Sequence, residues 1–208
     1  MPLPDYCSIR PISETDHALR REQPPFTLKL REMPKKELRR YYQWFMDVLP
    51  ERIKELAAAV RETPGFESWQ PDFTPRSLDA LGQWFAGQVE TRSRTQGELQ
   101  AIRDRLVFPM DIPAEELTNR TFSLAMDIGM YFSQVLMKNY PSLKWEQPLG
   151  NKRFADYGQP CLVGFGPVSP NPVRIGHVFA HGLTDKTYTG TRLREVYDHW
   201  AKLVRAQS

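Results

Sequence analysis

Cysteine is scarce in this chain. Of 208 residues only Cys7 and Cys161 carry a thiol, which excludes a disulfide scaffold and a four-cysteine zinc site. Long apolar runs are missing too: nothing approaches the roughly 20 residues of a membrane-spanning helix. The opening MPLPDYCSIRPISETD lacks the basic-then-apolar layout of a secretory signal. Neither sign of charge is in surplus. Twenty-eight Lys and Arg stand against 25 Asp and Glu, a formal charge of +3, too small to argue for a nucleic-acid partner from bulk electrostatics. Also absent are a G-x-S-x-G elbow, a kinase signature, a zinc-protease helix motif and a repeat of fixed period. What is present is ordinary: 40% hydrophobic and 25% charged residues, the composition of a soluble globular protein. A chain of this length buries roughly 70% of its unfolded surface without covalent staples. The expectation is a soluble, cytoplasmic protein.

Residues 1–25 hold Pro2, Pro4, Pro11, Pro24 and Pro25 with little apolar periodicity, and read as an N-terminal arm before a single domain over 26–208. FTLKL (Phe26 to Leu30) alternates like a short strand. From Lys35 the period changes to helical. Leu38, Tyr41, Tyr42, Phe45, Val48 and Leu49 share a face, Pro50 is expected to break or kink the helix and to start the next, and Ile53, Leu56, Ala57 and Val60 continue in a second one. Thr74-Pro75 reads as cap and first turn of a helix carrying Leu78, Leu81, Trp84, Phe85 and Val89. A further helix is expected from Gln96 to Val107. After Pro109 and Pro113 a long helical segment reaches about Asn139, apolar on nearly every face from Phe122 to Leu136, as for a helix surrounded by protein. Beyond Pro141, Gly and Pro punctuate strand-like runs, of which CLVGF and VRIGHVFAH are the best. Leu193, Val196, Tyr197, Trp200, Leu203 and Val204 make a terminal amphipathic helix. The predicted fold is α+β: a mainly helical body, a small antiparallel sheet in the C-terminal third and a closing C-terminal helix.

Several residues invite a chemical reading. On a helix, His177 and His181 would share a face and suit two metal ligands. On the expected strand they would lie about 13 Å apart, so a structural or surface role is preferred. Cys161 needs a nearby base, such as either histidine, to act as a nucleophile; unpaired cysteine is more often a small buried hydrophobe. Asp127 interrupts the apolar helix and must find Arg, Lys, Tyr or backbone donors, which makes it a packing clamp before it is a catalyst. The basic run Lys35 to Arg40, beside Tyr41, Tyr42 and Trp44, has the ingredients of nucleic-acid binding. Glu32 and Glu37 interrupt it, however, and the aromatics sit at core spacing, so a solvated helix face is the better reading. GFGPVSPNP lacks the Lys-Ser/Thr ending of a phosphate loop. No catalytic residue, metal or cofactor is assigned.

The order of motifs says more than any one residue. WFMDVLPERIKEL, SLDALGQWF, SLAMDIGMYFSQVL, PSLKWE, GQPCLVGF and LREVYDHW together resemble a family of uncharacterised bacterial cytoplasmic proteins, immunity-protein-like companions of polymorphic toxins. The resemblance spans about residues 35–204 and is most specific at D-I-G-x-Y-F (Asp127 to Phe132) and L-K-W (Leu143 to Trp145). It implies a non-enzymatic module that occludes a cognate toxin, and it supplies no catalytic residues. Occlusion calls for roughly 800 Å² of surface per partner, often anchored by Trp, Tyr or Arg. The candidate partner-binding residues are Trp145, Lys152, Arg153, Tyr157, His177 and His181. A hydrolase or metal enzyme using His177, His181, Cys161 or Asp127, and a nucleic-acid binder through Lys35 to Arg40, are the alternatives.

Overall fold

The computed structural model describes residues 29–206. The expected N-terminal arm and most of FTLKL lie outside them, and Leu30 falls in a turn. The architecture is α+β. Helix α1 (Lys35–Arg61) is followed by α2 (Ser77–Ala86), β1 (Thr91–Ser93), α3 (Gln96–Arg103), β2 (Glu115–Leu117) and α4 (Asn119–Asn139). Then come β3 (Lys144–Glu146), β4 (Cys161–Val163), α5 (Pro172–Thr184) and the closing α6 (Arg192–Arg205). The strands form two antiparallel pairs, β1 with β2 and β3 with β4. The second pair, in register Lys144 to Val163 and Glu146 to Cys161, is the sheet expected in the C-terminal third.

Helix α4 is the axis of the body. Twelve of its residues are buried, from Thr121 to Leu136, because α1, α5 and α6 all pack on it. A helix apolar all round is stable only inside such a sheath. Its contact with α5 is backbone-close. A Cβ on Gly129 would stand 2.3 Å from the Pro172 carbonyl oxygen, and one on Gly176 would stand 2.0 Å from that of Ala125. Glycine at both positions therefore sets how closely the two axes approach. One core, including Phe45, Leu56, Trp84, Phe85, Phe132 and Leu193, joins α1, α2, α4 and α6. A smaller cluster of Leu30, Met33, Leu38, Tyr41 and Tyr157 sits at the start of α1. No helix among the described residues is long and apolar enough to cross a membrane.

Four local expectations are corrected. Pro50 does not divide α1; it lies inside one helix of 27 residues. The buried stripe from Leu38 through Phe45, Leu49, Ile53 and Leu56 to Val60 passes it without changing face. Keeping that stripe on the core outweighs the roughly 3 kcal/mol cost of an internal proline. Pro50 is itself exposed, so its ring takes no space from the core. The run VRIGHVFAH is not a strand but most of α5. Asn171 caps that helix by accepting a hydrogen bond from the Arg174 N–H at 3.2 Å, and Pro172 fills its first position, a start signal that overrides local β-propensity. Thr74 is not a side-chain cap of α2: its hydroxyl and N–H both donate to Asp72 at 2.8 Å. The helix expected to reach Val107 stops at Arg103.

Candidate functional site

The residues singled out from sequence do not converge. Asp127 is completely buried and receives two hydrogen bonds from Arg52, Nε to Oδ1 and Nη2 to Oδ2, each 2.7 Å. The same guanidinium donates to Ser123 at 2.8 Å and Glu55 at 3.0 Å. This bidentate pair fastens α1 to α4 and spends the carboxylate on packing. Cys161 is buried in β4, and desolvation pushes its thiol up to about 12. A thiol so raised supplies almost no thiolate at neutral pH.

His177 and His181 do share one face, because α5 is a helix. Both rings meet the edge or face of Phe122, with centroids 5.4 and 6.2 Å away. Desolvation lowers His177 to about 4, opposed by its hydrogen bond to the Phe122 backbone. His181 is lowered for the same first reason. Among the described residues no group of three His, Cys, Asp or Glu could hold a metal ion. The two histidines are placed as packing residues against α4.

The proposed surface anchors divide. Lys152 and Arg153 are exposed, and Lys152 donates to the Arg31 carbonyl at 3.1 Å. Tyr157 is 2% exposed and belongs to the cluster at the start of α1, which removes it as a surface anchor. Trp145 is half-buried, edge-on to Phe45 at 5.4 Å, so it covers the core rather than projecting from it. In the basic run, Lys35, Lys36, Arg39 and Arg40 are exposed while Tyr41 turns inward. With Trp44 stacked on Tyr41 at 6.0 Å, the aromatics are held in packing.

Sequence reasoning passed over the most prominent surface feature, the excursion between α2 and α4. Here β1, α3, the following loop and β2 form a spur that contributes little to the core: α3 has no buried residue, and Leu117 at the end of β2 is the spur's side chain in the core. Its stem is the β1–β2 ladder, Thr91 opposite Leu117 and Ser93 opposite Glu115, extended by the Arg94 N–H donating to Ala114 at 2.8 Å. Arg92 bridges Glu98 of α3 and Glu116 of β2, and Arg94 reaches Glu116 at 3.3 Å. Thr95 and Glu98 close a reciprocal capping box on α3, which satisfies two otherwise orphaned donors. At the root, the Thr121 hydroxyl lies 2.9 Å from the Glu90 N–H and 3.1 Å from its carbonyl.

This polar framework presents an apolar loop to solvent. Val107 is 86% exposed, Phe108 74% and Met110 68%. Single exposed apolar residues are unremarkable, but three within four positions beside a charged stem make this loop the candidate interaction surface. A signal in the sequence was Phe108, Met110 and Ile112, apolar residues lying past the expected helix and beside Pro109 and Pro113. In comparisons with family models, with curated proteins and with solved structures, none matches this chain.

Proposed function

We propose that this is a non-enzymatic binding module that docks on a partner protein through the loop of the spur. In the form the sequence outline suggests, it is a cytoplasmic immunity protein that occludes a toxin. The observation that carries the reading is the exposure of Val107, Phe108 and Met110 on a stem built from ion pairs. Burying such side chains against a partner is favourable at about 25 cal/mol per Å² of apolar surface, and Phe and Met are enriched in interface centres. Lys152 and Arg153 are the charged candidates for the rim. The reading also fits side chains already committed elsewhere: Asp127 to Arg52, Cys161 to the core and the histidines to Phe122.

The test compares the wild-type chain with a Val107→Ser, Phe108→Ser, Met110→Ser variant in affinity capture from native lysate. The expected outcome is one near-stoichiometric protein held by wild type and lost by the variant, with melting temperatures equal to within about 2 °C. Co-expression then checks the immunity form: the captured protein arrests growth alone and is harmless beside the wild-type chain. Capture that survives the triple substitution sinks the spur as the docking element.

A further inference from the structure

Helix α5 packs on α4 and helix α6 on α2 and α4, and an open trough of about 290 Å³ lies between residues of α5 and α6. Its volume falls just below the range of drug-sized sites, about 300 to 1,000 Å³, which restricts it to a small ligand. Its walls are mainly apolar, Ile175, Val178 and Phe179 from α5 and Val196 and Trp200 from α6, while Asp156 and Asn171 line it beside Arg174. Each end carries a guanidinium. Arg174 stands at the start of α5, and Arg192 stands at the start of α6.

The two arginines differ in how their charge is met. Arg174 is paired at 2.7 Å with Asp156, a carboxylate whose side chain is only 12% exposed, so its charge is answered inside the protein. Among the described residues the ion-pair partner of Arg192 is Glu195, at 3.2 Å, a carboxylate that is 56% exposed. The guanidinium lies over the Tyr188 ring, 4.8 Å from its centroid, and its Nε is buried without a hydrogen-bond partner. A cation in the first turn of a helix is also opposed by the helix dipole. Within the fold Arg192 is met by an exposed carboxylate and an aromatic ring, and no buried carboxylate among the described residues answers it as Asp156 answers Arg174. A ligand that brings a negative charge to that end of the trough would favour Arg192 there, because a planar guanidinium binds carboxylate in a forked, charge-assisted geometry.

We propose that the α5–α6 trough binds a small aromatic carboxylate, its ring against Val178, Val196 and Trp200 and its carboxylate on Arg192. The site involves none of the spur's residues and stands whether or not the spur docks a partner.

Titration calorimetry of the full chain with cinnamate, and with its neutral isostere cinnamamide, tests this. Cinnamate is expected to bind saturably below about 10 mM and the amide at least about tenfold more weakly. Arg192→Gln should weaken cinnamate by a similar factor, roughly tenfold, while leaving the melting temperature unchanged. Val178→Glu, at a position 48% exposed and therefore tolerant of charge, should abolish binding by placing a like charge in the trough. No saturation by wild type, equal binding of acid and amide, or an unaffected Arg192→Gln protein would each overturn the proposal.

Discussion

The pair formed by Arg52 and Asp127 yields the sharpest stability prediction. Both side chains are withdrawn from water, at 9% and 0% exposure, and two hydrogen bonds of 2.7 Å join them across the α1–α4 contact. Replacing Asp127 by Ala strips the guanidinium of its bidentate partner, and breaking a buried pair in this way costs about 3–5 kcal/mol. Ser123 and the half-exposed Glu55 still receive Arg52, so the expected loss is at the lower end, about 3 kcal/mol. For a domain of this size each kcal/mol moves the melting temperature by about 2–4 °C, giving a drop of roughly 6–12 °C.

Arg52→Met alone leaves a fully buried carboxylate without its cation and should cost more, about 5 kcal/mol. The double variant Arg52→Met, Asp127→Leu removes both charges and both desolvation penalties. It should unfold within about 1 kcal/mol of wild type. Urea unfolding of wild type, Arg52→Met, Asp127→Leu and the double variant, read by circular dichroism at constant slope, closes the cycle, with Asp127→Ala measured beside them. If Asp127→Ala costs under about 1 kcal/mol, or if the double variant loses as much as the two single ones combined, the clamp does not hold α1 to α4 as described.

Three further outcomes follow from the same structure. Gly176→Ala should cost about 1–3 kcal/mol by thermal melting, because its methyl would stand 2.0 Å from the Ala125 carbonyl oxygen and the α4–α5 contact must open; an unchanged melting temperature would deny that contact. In a Cys7→Ser background, Cys161 should resist a thiol reagent at pH 8 until the chain unfolds, since burial raises its thiol to about 12; rapid labelling of the native protein would contradict the burial. His177, held at about 4 when folded, takes up its proton more readily unfolded, at about 6.5. Stability therefore falls as pH drops from about 7 towards 4 and levels off below, by at most about 3 kcal/mol from this group. Urea midpoints measured across that range should fall less for His177→Gln, and identical slopes would refute the assignment.

Sequence alone determined whatever depends on period and on the cost of burying charge. The face of α1, the all-round apolarity of α4 and the amphipathic α6 were legible, because a helix must turn its apolar residues inward wherever its neighbours stand. Asp127 was legible as a clamp for the same reason: an isolated carboxylate in that helix is too costly, so a donor had to exist, although nothing in the sequence pointed to Arg52 across 75 residues.

Tertiary structure decided what depends on neighbours. Local propensity argued for a break at Pro50, but the stripe on either side of it packs on one surface. The β-branched residues and glycine of VRIGHVFAH suggested a strand, but Asn171 and Pro172 start a helix and Gly176 is small because α4 lies against it. Tyr157 looked available on a Gly- and Pro-rich segment, yet α1 covers it. The exposure of the spur's loop and the trough were not legible, for a related reason. Whether Phe108 is buried or Arg192 faces an apolar trough depends on which other elements come to rest beside them, and a side chain's own sequence neighbours do not carry that information.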